Sequence, residues 1–224
     1  MPPAAAPRVR ISCAAIVANV RALADEGALV DLRRDARGHG FAAVAPAILA
    51  ATDADVLADA RDIAASSLRS SRVRTAGTPS VDGAAAVGVS GAGTPAMTLL
   101  GTVLGVKPLR AGEGVSYGYT HRAVTDTRIA LVTGGYAQGI PRILGNRAHV
   151  VIGGAPYPIV GRVAMDVCVV DVADAQVPRG SEVTFFGDPD AGAPNVSTWA
   201  RDSGLRAIEI VTGVGLHVRR EYDG

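Results

Sequence analysis

Lysine is almost absent. Of the 22 basic residues in this 224-residue sequence only Lys107 is a lysine, so chemistry that needs a primary side-chain amine, imine formation above all, has a single candidate. Cysteine is scarce too. Cys13 and Cys168 lie far apart without metal-ligand spacing, which reads as two reduced core thiols in a cytosolic protein and argues against a disulfide framework. An excess of one charge is lacking: the net charge of +1 provides no general attraction to nucleic acid or acidic membranes. The start, Met1 to Pro7, lacks the apolar core of a signal peptide. A long run of large apolar residues is also missing. Gly83 to Val106 is uncharged and long enough to span a bilayer, but its six glycines and one proline among small residues would partition weakly into lipid. No membrane span and a cytoplasmic location are expected. His39, His121, His149 and His217 share no ligand spacing and read as solvated or satisfied side chains, so no metal is expected.

What is present suits one sizeable core, or a medium domain with an appendage. Hydrophobic residues make up 48%, which excludes general disorder, and 27 glycines with 13 prolines imply many turns. Val9 to Ser12 reads as a short strand. Ser12 then offers a helix N-cap, and Ile16, Val17, Val20, Leu23 and Ala24 share one face of the helix up to Gly27. Ala28 to Arg33 reads as a strand, 34–40 as a loop, Phe41 to Ala51 as a helix containing Pro46, Val56 to Ala60 as a short strand and Asp62 to Ser71 as a helix. This alternation predicts a parallel α/β fragment over 1–75. Residues 76–96, rich in Gly, Ala, Ser and Pro, read as a linker.

From Met97 the pattern changes to short β-branched runs separated by turns: Thr98 to Lys107, Thr127 to Thr133, Ala148 to Ile152, Ile159 to Val163, Val167 to Val172 and Ser181 to Phe186. Such spacing predicts a small antiparallel barrel or sandwich over 97–224. It carries a helix at Val196 to Ser203 and a last strand around Ile208 to Val218. The fold class expected is therefore α+β.

Three segments hold the chemistry of this second half: Gly112-Glu-Gly-Val-Ser-Tyr-Gly118, Gly134-Gly-Tyr-Ala-Gln-Gly-Ile-Pro-Arg142 and Ile159-Val-Gly-Arg-Val-Ala-Met-Asp166. Each sets polar or aromatic side chains beside glycines at strand ends, where backbone freedom lets them be presented. In this order they resemble the C-terminal β domain of the alanine racemases, and the similarity runs from Met97 to Tyr222. The resemblance implies a β domain that sits on a (β/α)8 barrel binding pyridoxal phosphate, in a head-to-tail dimer interconverting L- and D-alanine. It places the family's catalytic tyrosine, which acts on the partner's site, at Tyr117. Tyr136 then lines the way in to the substrate and Arg162 is the cation for related work. The Met165 backbone meets the substrate carboxylate, and Asp166 follows it as in the family. Read singly, Tyr117, Arg162 and Tyr136 suit packing, surface-pairing and sheet-covering roles better.

Upstream, Val30-Asp-Leu-Arg-Arg-Asp-Ala-Arg-Gly-His-Gly40 is similar to the family signature Val-Val-Lys-Ala-Asn-Ala-Tyr-Gly-His-Gly. Arg33 stands where the resemblance puts the Schiff-base lysine, and Arg37 where it puts a tyrosine. A guanidinium stays protonated and forms no imine with the cofactor. With Gly83 to Gly88 matched to the family barrel's final strand, the resemblance puts Val81 where an arginine faces the pyridine nitrogen, Ile208 where a tyrosine helps hold the cofactor phosphate, and Gln138 at the acid of Gly-Tyr-Ala-Asp-Gly. A complete barrel takes ~250 residues, whereas 96 precede Met97. The first reading is accordingly a racemase-like chain with a complete β domain and a truncated, TIM-barrel-like α/β remnant. It would have no cofactor of its own and no independent activity, and would act as a homo-oligomer or as a hetero-oligomer with an intact racemase. A working pyridoxal-phosphate isomerase is the second reading, and a binding module that reuses the β-domain surface the third. Arg33, Arg34 and Arg37 read either as a solvated charge cluster or as a small anion site.

Overall fold

The structure, a computed structural model, describes residues 6–91 and 93–223; the expectations that touch 1–5, Ala92 and Gly224 lie outside these. Two compact units are present. One comprises 98–206 with 6–9 and 217–219; the other comprises 10–97 with 207–216 and 220–223. Strands β1 (Arg8–Ser12) and β13 (Arg219–Asp223) are each divided between them.

In the unit built on 10–97, Ser12 caps helix α1 (Cys13–Leu23), its Oγ accepting from the Ala15 N–H at 3.1 Å. The helix buries Cys13, Ile16, Asn19 and Val20. Strand β2 (Leu29–Asp31) leads into a single turn, α2 (Arg33–Arg37), then helix α3 (Phe41–Ala51), strand β3 (Asp55–Leu57), the short helix α4 (Ala60–Ala65) and strand β4 (Val73–Arg74). β2, β3 and β4 pair in parallel, with Val30 opposite Val56 and Val56 opposite Val73. Val81 adds a parallel bridge to Val30 on the other side of β2. Helix α4 stops well short of the predicted 62–71, because the Ser66 hydroxyl turns back onto the Ile63 carbonyl at 2.9 Å.

Where a linker was expected over 76–96, the described residues 76–91 and 93–96 are ordered. They contain the turn-length helix α5 (Gly83–Ala86), capped by Asp82, and they bury Val81, Ala86 and Val87. The Asn19 amide explains the order: it donates to the carbonyls of Ala86 (3.2 Å) and Thr94 (2.9 Å) and accepts from the Thr94 N–H (2.9 Å). A buried amide satisfied this fully holds small residues as firmly as apolar packing would.

The other unit is antiparallel. Strand β5 (Met97–Leu109) is its axis, with β6 (Gly114–Val115) and β7 (His121–Arg122) forming a short hairpin beyond it. The remaining strands are β8 (Thr127–Thr133), β9 (His149–Ile152), β10 (Ala155–Pro158), β11 (Val167–Asp171) and β12 (Glu182–Phe186). The first half of β5 pairs with β12, which pairs on through β9 to β10; from Val103 on, β5 pairs with β8, with a register shift between Val103 and Gly105, and β8 pairs with β11. Helix α6 (Val196–Ser203) sets Trp199 edge-on against Phe185 and Phe186, at 6.2 and 5.2 Å between centroids. Both cysteines are buried free thiols, and burial pushes Cys168 up to about 12.

Two predicted strands are not formed. Ile159 to Val163 makes only an isolated bridge from Ile159 to Val170, since Gly161 at φ +72° turns the chain. Residues 207–217 form helix α7 (Ala207–His217), not a strand. The β-branched run 207–214 favours extension locally, but Ile210, Val211 and Val214 fall on one helical face and are all buried. Gly215 lies so close to the Gly38 carbonyl that an added Cβ would stand 2.2 Å from its oxygen. Among the described residues no helix is long and apolar enough to cross a membrane.

Candidate functional site

The β6–β7 hairpin presents Tyr117 at its tip, between Ser116 at φ +61° and Gly118 at φ +82°. Its base rests on a small apolar cluster of Leu109, Val115, Ala123, Ile129 and Val160. The tip is tied down from one side: the Ser116 hydroxyl donates to the Arg162 carbonyl, and the Gly161 N–H donates to Asn146 Oδ1 at 2.6 Å. Asn146 Nδ2 in turn reaches the Thr120 hydroxyl at 3.3 Å. A side chain at 161 would collide with Ser116, its Cβ standing 2.6 Å from that of Ser116. Glycine is required there for the turn and for the contact.

Tyr136 opens the 3-10 turn Tyr136–Gln138 that follows β8. Its N–H donates to the Ala164 carbonyl and that of Ala137 to the Met165 carbonyl, both at 2.9 Å, so this turn and the Met165 segment are clamped together. Gln138, at the family's acid position, donates from Nε2 to Asp166 Oδ1 (3.0 Å) and accepts the Gly135 N–H at Oε1 (2.9 Å). An amide can make both bonds at once; a carboxylate there would face Asp166 as a second negative charge.

Arg142 joins the two tyrosines. Its guanidinium carbon lies 5.9 Å from the Tyr117 ring centroid and 5.7 Å from that of Tyr136, within cation–π range of both. The Arg162 guanidinium runs beside Gly118. Tyr117 and Met165 are largely exposed, at 75% and 55%, with Tyr136 at 41%. Tyr117, Tyr136, Arg162, Met165 and Asp166 thus lie on segments that these bonds hold together, with Arg142 stacked on two exposed phenol rings. Sequence reasoning assigned no role to Arg142 or Asn146. The signal for Arg142 was its place at the end of the same glycine-rich segment as Tyr136.

The positions that the resemblance ties to the cofactor look different. Arg33 donates to Asp31 twice, from Nε to Oδ1 (2.9 Å) and from a terminal nitrogen to Oδ2 (2.7 Å), and Arg37 donates to the same Oδ2 at 2.5 Å. Asp31 is 3% exposed at its side chain. Burial pushes its carboxyl up, but the Arg33 hydrogen bonds and the charges of Arg37 and Arg33 outweigh this and hold it below the usual range. No amine stands at this turn. Lys107 projects from β5 into an open groove of about 930 Å³ with Glu113, Tyr119 and Arg122. Ile208, half-buried in the first turn of α7, brings hydrocarbon to the phosphate-tyrosine position. These residues do not fit a covalently held pyridoxal phosphate. No group of three or more metal-ligating side chains occurs among the described residues.

The family model described as alanine racemase, C-terminal domain, matches residues 96–222. The alanine racemase of Thermobifida fusca is 44% identical over 130 residues, covering 58% of this chain and 35% of that protein. The chain thus spans about a third of the length of the curated relatives it matches. Among solved structures, the alanine racemase from D-cycloserine-producing Streptomyces lavendulae superposes with a TM-score of 0.87 at 22% identity, over 98% of this chain and 97% of that one. The Bartonella henselae alanine racemase with covalently bound pyridoxal phosphate gives 0.77 at 18% identity, over 98% and 100%. At such identities the likeness is one of fold.

Proposed function

Because the chain belongs to the alanine racemase family through its C-terminal domain, we propose that it donates that family's β-domain half-site to an intact racemase and performs no covalent cofactor chemistry of its own. The observation that carries this reading is a contrast. Arg33, at the lysine position, is engaged with Asp31, while Tyr117, Tyr136, Arg142 and Met165 stay together and open to solvent. The parallel strands β2, β3 and β4 support reading 1–75 as a remnant of the family barrel. In this reading Tyr117 supplies the phenol that exchanges a proton at the alanine Cα on the partner's substrate. Arg142 holds the Tyr117 and Tyr136 rings in place. The partner is a cytoplasmic racemase in a hetero-oligomer; self-association is the form the chain takes without it.

The test uses an intact alanine racemase whose own β-domain tyrosine has been changed to alanine. Adding the full chain should restore racemisation in a saturable manner, at concentrations where the two co-elute. Binding without restored turnover, or no binding, would overturn the reading.

A further inference from the structure

The turn that replaces the family's lysine segment is built unusually. Arg34, Asp35 and Ala36 have left-handed φ/ψ pairs of 58°/50°, 55°/52° and 51°/47°, and Arg37 follows at φ +55°. Left-handed backbone costs roughly 1–2 kcal/mol per L-residue, so surrounding bonds must hold it. Asp59 accepts the Arg34 N–H at 2.7 Å, Asp62 the Asp35 N–H at 2.8 Å, and Asp35 accepts the Phe41 N–H at 2.7 Å while pairing with Arg220 at 2.6 Å.

The result is a cavity of about 590 Å³ lined by Arg33, Arg34, Arg37, Arg61 and Asp59. No apolar side chain lines it. The buried Asp31 fixes Arg33 and Arg37 from behind, and Arg61 leans on Asp62 at 3.3 Å. Among the described residues the Arg34 guanidinium has neither a hydrogen bond nor an ion pair. Four guanidinia therefore face three carboxylates, two of which stand behind the lining. Arg34 is the side chain left over. Fixed guanidinium forks match phosphate oxygens two at a time, the volume is that of a small-metabolite pocket, and the wholly charged lining leaves nothing to bury an apolar ligand body.

We infer that this arginine-lined cavity binds a small phosphate-bearing anion, noncovalently, at the place where the family has its lysine. The inference is independent of the half-site reading above. The phosphate group comes either from inorganic phosphate or from a phosphorylated metabolite, and two probes separate these sources. The full chain is titrated with inorganic phosphate and with ribose 5-phosphate at low ionic strength, following ³¹P line width. One saturable site is expected. Arg34→Gln should weaken it roughly ten- to a hundredfold, as the loss of a charge-assisted contact does, with the thermal midpoint unchanged because that guanidinium has no structural partner. Arg179→Gln removes the same charge outside the cavity and should leave affinity unaltered. Tighter binding of the ester would identify a metabolite, and equal or tighter binding of phosphate the free ion; either supports the site. Non-saturating binding, or equal weakening by Arg34→Gln and Arg179→Gln, would overturn it and leave a solvated charge cluster.

Discussion

Replacing Tyr117 with phenylalanine is expected to lower the racemisation restored to a tyrosine-deficient racemase by ~10²–10⁴, the usual worth of a positioned acid/base group. Binding between the two proteins should be unaffected. The substitution removes only the phenolic hydroxyl, which has no hydrogen-bond partner among the described residues. The ring and its stacking on Arg142 remain. Tyr117→Ala removes both and should weaken association as well. Measured rates and co-elution separate the two effects. Equal restored rates for wild type and Tyr117→Phe would show that the phenol has no chemical role.

Acid should destabilise the unit built on 10–97 in a window set by His39. This imidazole is fully buried; its Nδ1 lies 3.1 Å from the Arg37 carbonyl, and Nε2 has no partner among the described residues. Burial, with some help from the Arg220 charge, pulls its pKa from 6.5 to about 4, against the opposing pull of the Arg37 and Ala36 backbone and the Asp35 carboxylate. A depressed histidine is neutral in the fold and charged when unfolded, so the unfolded state binds more protons between these values. Its contribution is complete above pH 6.5 and is lost as pH falls towards about 4, amounting to ~3 kcal/mol. Asp31, held below its ordinary value, gives way only below that window. Urea unfolding across pH 4 to 7 should show the slope in wild type, and His39→Gln should flatten it. A wild-type stability independent of pH over this range, or an undiminished slope in the variant, would contradict the assignment.

Much of the antiparallel unit could be read from the amino acids, because runs such as Thr127–Thr133 and Val167–Asp171 alternate or stay apolar over strand lengths between clear turns. The cap at Ser12 and the helix Phe41–Ala51 were equally legible, being decided by local chemistry. Helix α7 was not. Its β-branched residues favour a strand in isolation, and only the close approach of Gly215 to Gly38 and the burial of Ile210, Val211 and Val214 select a helix. Residues 76–91 and 93–96 differ for the opposite reason: their small side chains suggest a linker, while the bonds that hold Ala86 and Thr94 come from Asn19, far away in the sequence. At the site, Tyr117, Tyr136, Arg162 and Met165 were visible as members of glycine-flanked segments. The link from Arg142 to both tyrosines was not, since it depends on how two loops fold together. The left-handed course of Arg34 to Arg37 was not legible either: Asp35 tolerates that conformation as a single residue, but nothing in Arg34, Ala36 or Arg37 marks a run of it.

The chain is expected to carry no covalent pyridoxal phosphate site. Incubation of the purified full chain with excess pyridoxal phosphate, borohydride reduction and intact-mass measurement test it directly. An unmodified main species is expected, with only scattered, substoichiometric labelling at Lys107 or the amino terminus. A single stoichiometric pyridoxyl adduct, accompanied by alanine racemisation by the chain alone, would contradict it.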